Sequence, residues 1–116
     1  MKVAIIGSRN LQVDHLEAFI PPEATEIVSG GAKGIDTCAR EFALANNIKL
    51  TEFLPDYDKH GKSAPLERNI QIIEHSDLVL AFWDGKSRGT KYVIDTCKER
   101  GVPIKVFLND PASEQK

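Results

Sequence analysis

The stretch EIVSGGAKGIDTCAREFALANN, residues 26–47, decides how the chain is read. A short apolar run ends at Ser29. The turn after it holds Gly30, Gly31, Lys33 and Gly34, and a helical pattern then opens through Asp36. Ile35, Cys38, Ala39, Phe42 and Ala43 recur at the spacing of one helical face, and Asn46-Asn47 closes the segment. Glycine is costly in regular structure, so three together imply that backbone conformation or close approach matters in this turn. Strand, glycine turn and helix in that order make the first half of a βαβ unit.

The same alternation runs outward in both directions. Strand-like runs lie at 2–6 (KVAII), 26–29 (EIVS), 50–54 (LTEFL), 78–82 (LVLAF) and 104–108 (IKVFL). Helical patterns fill 11–20, 34–46, 65–75 and 90–100. The last shows Val93, Ile94 and Cys97 on one face and stops at Gly101, with Pro103 just beyond. Residues 109–116, NDPASEQK, are expected to fray. No internal repeat or low-complexity segment interrupts the pattern. The expectation is one Rossmann-like, three-layer α/β domain spanning 1–116. Its mainly parallel five-stranded sheet has order 3-2-1-4-5, with helices on both faces.

Composition narrows the function. A chain of 116 residues buries roughly 65% of its unfolded surface, enough for a real core. No apolar run approaches the ~20 residues of a membrane span, and the start, MKVAIIGSRN, lacks the pattern of a signal peptide. A cytoplasmic location is expected. Cys38 and Cys97 both fall on apolar helix faces, which reads as reduced core residues, not a disulfide or a metal site. The net charge of −2 argues against a protein that holds a polyanion by bulk electrostatics.

In an open parallel sheet, ligands bind beyond the carboxyl ends of the strands, where the strand order reverses. Here that is a crevice between strands 1 and 4, and the unusual polar stretches all fall on its rim. GSRN follows strand 1, SGGAKGID strand 2, PDYDKHGKSAPLERN strand 3 and WDGKSRGT strand 4. A glycine turn opening a helix presents unpaired backbone N–H groups at the positive end of the helix dipole, which suits phosphate. Gly30, Gly31 and Gly34 would let it approach and Lys33 would add charge; Gly89 and Thr90 open the fourth helix in the same way. SGGAKGID is neither a Walker loop nor Gly-x-Gly-x-x-Gly, so neither an ATPase nor a standard dinucleotide site is expected. No His/Cys/carboxylate spacing resembles a zinc site. His75, near a helix end, reads as a surface residue complementing the dipole.

Taken together, IIGSR, VSGGAKGID, ERN and DLVLAFWDGKSRGT resemble the SLOG superfamily, in particular its small YspA/YpsA-like branch, over about residues 2–108. The Rossmann domain of DprA/Smf and the LOG phosphoribohydrolases are related. The resemblance implies a nucleotide or nucleotide-derived ligand, sometimes sensed and sometimes hydrolysed at its N-glycosidic bond. Against the LOG pattern, Ser29 replaces a proline, the glycine loop is longer, and Cys38 stands where the glutamate would be. Against the similar deoxyribosyltransferase motif, Val93 occupies the place of the nucleophilic glutamate. Asp36, Glu67 and Asp84 are the remaining catalytic candidates. Asp36 can equally complement a helix N-terminus, and Asp84-Gly85 can equally form a turn.

The expected ligand site comprises Gly7, Ser8, Arg9, Ser29, Gly30, Gly31, Lys33, Gly34, Asp36, Arg68, Asn69, Trp83, Asp84, Gly89 and Thr90. Trp83 either stacks on a base or supports its loop. The site is expected to need no cofactor and no metal. Single-stranded DNA binding, as in DprA, is the competing reading and ranks second, because basic residues outnumber acidic ones on the rim only modestly. No membrane partner is expected, and a homo-oligomer is left open.

Overall fold

A computed structural model describes residues 1–108 except Arg9, Gln12, Asp14, Ala32 and Lys33. Five strands, β1 (Lys2–Gly7), β2 (Glu26–Ser29), β3 (Lys49–Glu52), β4 (Leu78–Trp83) and β5 (Ile104–Leu108), form one sheet in the order β3-β2-β1-β4-β5. Every neighbouring pair is parallel. The expected architecture and strand order are both observed.

The sheet is central because β1 and β4 are apolar at nearly every position, as strands covered on both faces must be. One face holds Val3, Ile5, Ile27, Leu80 and Phe82 under α1 (Ile35–Ala45). The other holds Ala4, Ile6, Val28, Val79 and Ala81 under α3 (Ala64–His75) and α4 (Arg88–Arg100). Right-handed crossovers account for that division, since the chain moves outward from β1 through β2 to β3 and then returns past β1 to β4 and β5.

The helix expected over 11–20 is not observed. A 3₁₀ turn, Leu16–Ala18, stands there instead. His15 adopts left-handed backbone angles at φ 57, which breaks a right-handed helix, and Pro21 and Pro22 block extension beyond it. The apolar residues of the segment still serve the core. Leu11 and Leu16 are buried, and Phe19 meets Phe82 and Phe107 edge-on at 5.3 and 4.9 Å between centroids.

The run after β3 gains a short helix, α2 (Tyr57–His60), where Asp56 accepts a hydrogen bond from the Lys59 N–H at 3.1 Å. A 3₁₀ turn, Gly61–Ser63, then leads into α3, and Pro65 falls in the first turn, where a missing N–H is tolerated. His75 is more than a surface residue. Its Nε2 lies 2.5 Å from the carboxylate of Glu26, a nearly buried side chain that also accepts the Thr51 hydroxyl at 2.9 Å. This pair ties the end of α3 to the start of β2, at the end of the sheet away from the glycine turns. Cys97 is fully buried and Cys38 half-buried; both are free thiols, as expected.

Candidate functional site

Beyond the carboxyl ends of β1 and β4 the strand order reverses, and a cleft of about 430 Å³ opens there. Each wall is set by a regular element or by the turn that leaves it. Gly7 and Ser8 leave β1, Gly30 leaves β2, and Asp36 stands in the first turn of α1. Arg68 and Asn69 project from α3, Asp84 leaves β4, and Gly89 and Thr90 open α4. The structure thus gathers nine of the expected residues around one cavity.

Of the other expected ligand residues, the described ones, Ser29, Gly31, Gly34 and Trp83, do not line the cleft. Arg9 and Lys33 fall outside the described residues. Ser29 is fully buried, and its hydroxyl accepts the Gly31 N–H at 3.3 Å. Glu67, although in the first turn of α3, does not line the cleft. Trp83 does not line it either. Its indole N–H donates to the Ser87 carbonyl at 3.0 Å and its ring packs on the core below α4, which is the loop-supporting role.

The glycines have local explanations. At Gly30, an added Cβ would sit 2.3 Å from Nη1 of Arg68, because the guanidinium crosses that face to donate to the Gly30 carbonyl at 2.8 Å. The Arg68 Nε donates in turn to Asn69 Oδ1 at 2.9 Å. Gly31 has φ +69, and its Cβ direction is filled by Leu54 Cδ2 at 2.5 Å. Gly34 caps α1 at φ 71 and ψ −120, angles open in practice only to glycine. The close approaches at Gly30 and Gly31 therefore come from the chain's own side chains. Gly89 differs, with nothing within 4 Å of its Cβ position.

Asp84 organises the loop between β4 and α4. One carboxylate oxygen accepts the backbone N–H groups of Lys86 and Ser87, both at 2.8 Å, while the Asp84 N–H donates to Ser8 Oγ at 3.3 Å. The Ser87 N–H, and then that of Lys86, holds this carboxyl below its usual range; partial burial opposes them and the Ser8 hydroxyl adds to them. Asp84 is therefore ionised at neutral pH.

The lining mixes polar Ser8, Asn10, Asn69, Ser87 and Thr90 and charged Asp36, Arg68 and Asp84 with aliphatic Ile6, Pro65, Leu66, Ile72 and Val93. Sequence reasoning missed the aliphatic lining residues because Ile72 and Val93 carry the same helical periodicity as ordinary core. Among the described lining residues the charged ones are Asp36, Asp84 and Arg68. Of the basic residues in and beside the polar stretches after β3 and β4, Lys59, Lys62, Lys86, Arg88 and Lys91 are exposed and outside the lining. A second cavity, about 420 Å³, lies between the 3₁₀ turn at Leu16–Ala18 and α1, with Gly34 and Cys38 in its wall. No group of three or more metal-ligating side chains occurs among the described residues.

Fold and cleft together define a doubly wound parallel α/β domain with a ligand-sized cavity at its switch point. The chain belongs to the DNA recombination-mediator protein A family, whose model matches residues 1–96. It is also 31% identical over 96 residues to the Gene 61 protein of Mycobacterium phage D29, covering 78% of this chain and 77% of that protein. No solved structure matches the chain. The expected likeness to the Rossmann domain of DprA is borne out by the family match. No helix among the described residues is long and apolar enough to cross a membrane.

Proposed function

We propose that the cleft binds a nucleotide or nucleotide-derived small molecule, and that the domain acts as a binding or sensing module. The observation that carries this reading is the cavity itself. Its roughly 430 Å³ lies in the range of small-molecule sites, it sits at the switch point of the sheet, and its lining combines aliphatic and polar side chains. No cofactor or metal is required in this reading. A cytoplasmic location and free association between copies of the domain are compatible with it.

The family match favours a second reading, binding of single-stranded DNA. In that case the exposed basic residues around the cleft, Lys86, Arg88 and Lys91 among them, would meet the strand's phosphates. A thermal-shift screen of nucleosides and nucleotides, followed by competition against labelled oligo-dT, separates the two. The small-ligand reading expects mononucleotides to shift the melting temperature and to bind with weak salt dependence. The DNA reading expects oligo-dT to bind with a log–log salt slope of about −4 or steeper and to resist competition by mononucleotides. Asp36 and Asp84 share the cleft, so mass spectrometry of the ligands after incubation also tests N-glycosidic hydrolysis.

A further inference from the structure

We propose that the groove between α1 and the 3₁₀ turn at Leu16–Ala18 is a docking site for a basic, amphipathic helix of a partner protein. Among the described residues the groove shares no lining residue with the cleft, so the inference stands whatever the cleft binds.

The groove exists because one crossover helix has not formed. A parallel sheet of this kind is covered by the helices that connect its strands. Among the described residues, α1, α3 and α4 serve the connections after β2, β3 and β4, while the connection from β1 to β2 has only the 3₁₀ turn. That connection belongs to the same face as α1, since both right-handed crossovers step from β1 toward β3. One short turn fills less of the layer than a helix would. A cavity of about 420 Å³ is left along α1, lined by Val13 and Leu16 from the turn segment and by Phe42 and Ala45 from the helix. A helix is therefore the element that this layer lacks.

The charge of the groove specifies which helix fits. Its charged lining residues, among the described ones, are Glu17 from the turn and Glu41 from α1. Glu41 is exposed and makes no hydrogen bond or ion pair with the described chain. Glu17 meets His15 Nδ1 at 3.3 Å, but the two side chains are 64% and 84% exposed, so that contact gives way at little cost. Arg40, the cation of α1, is committed to Glu52 through bonds of 2.8 to 3.1 Å. A helix with a leucine-like stripe flanked by lysine or arginine complements apolar side chains and carboxylates supplied by both elements. Leu44, three residues beyond Glu41 and 68% exposed, extends the apolar contact along α1. A second copy of the chain does not supply such a helix from its described residues, because α1, α3 and α4 bury their apolar faces in their own domain.

The probe is a synthetic helix of about 14 residues, or about four turns, built only of leucine and lysine with leucine at i, i+3, i+4 and i+7. Its counterpart has glutamate for every lysine. In a ¹H–¹⁵N NMR titration the lysine peptide should shift the amides of Leu16, Glu17, Glu41 and Asn46 and leave those of Asn69 and Thr90 in place. The glutamate peptide should bind about tenfold more weakly or not at all. Glu17→Gln combined with Glu41→Gln removes two exposed charges and should weaken the lysine peptide about fivefold. Ala45→Arg sets a bulky cation at the exposed end of α1, where the helix dipole favours it, so the domain should fold and binding should be lost. Cys38 lines the groove, so bound peptide should slow its alkylation by iodoacetamide in proportion to occupancy. Equal binding of the two peptides, an affinity unmoved by the paired glutamate variant, or shifts confined to the cleft overturns the inference. Failure of the lysine peptide to bind overturns it too, as does a dimer in sedimentation that Ala45→Arg abolishes, which would make a second copy the occupant.

Discussion

Gly30→Ala tests why glycine occupies the first position after Ser29. The added methyl would meet Nη1 of Arg68 at 2.3 Å and Cζ at 2.8 Å, whereas the next neighbour, Asp36 Oδ2, stands at 3.2 Å. Gly30 does not have positive φ, so alanine adds no backbone strain there. The guanidinium is the far end of a flexible side chain and can swing away, so the cost is the loss of bonds it holds there, the 2.8 Å bond to the Gly30 carbonyl among them. A half-buried, charge-assisted bond of that kind contributes about 1–2 kcal/mol, or roughly 4–8 °C in melting temperature for a chain of this size. Urea unfolding of Gly30→Ala, Arg68→Ala and the double variant measures it directly. With Arg68 already removed, the methyl should cost only about 0.3 kcal/mol, so most of the effect appears as coupling between the two sites. An equal cost in both backgrounds would refute the reasoning, because Arg68 would then not be what demands the glycine. Gly7→Ala supplies the contrast. Its methyl meets Ile35 Cγ1 at 2.6 Å and the Phe82 carbonyl at 2.7 Å, neither of which can swing away, and about 3 kcal/mol is expected whatever stands at 68.

Glu26→Gln should destabilise the domain by about 1–3 kcal/mol at pH 7. Burial opposes the charge of Glu26, but hydrogen bonds from His75 and Thr51 and the charge of Lys49 outweigh it, so the folded carboxyl lies below its usual value of 4.5. The stability tied to that charge is present above 4.5 and is lost as pH falls through the lower, folded value; a gap between wild type and Glu26→Gln that stays constant down to pH 3 contradicts this account. Burial pushes the Cys97 thiol up to about 11, so iodoacetamide at pH 8 should modify Cys38 first and reach Cys97 only on unfolding, as peptide mapping would record. Glu67→Gln should leave ligand affinity unchanged and Asp36→Asn should alter it, since only Asp36 lines the cleft; equal effects in titration would move the site.

The strand–turn–helix rhythm, the parallel sheet and its order follow from sequence alone. Apolar runs such as Leu78–Trp83 must be covered on both faces, and right-handed crossovers leave few ways to arrange five of them. The rim position of Ser8, Gly30, Asp36, Arg68, Asp84 and Thr90 was legible for the same reason, because every polar turn after a strand falls at one edge. The segment around Leu16 was misleading: its apolar spacing suits a helix, but one left-handed residue at His15 and two prolines leave only a 3₁₀ turn. Tertiary packing alone decided what the glycines are for, since nothing local to SGGAKGID reveals that Arg68, distant in sequence, lies across Gly30 or that Leu54 fills the space beside Gly31. It also decided that Glu26 meets His75, that Trp83 turns its indole N–H to Ser87, and that Ile72 and Val93 wall a cleft. These are contacts between elements brought together by folding, and periodicity along one element carries no information about which side chain of another will reach it.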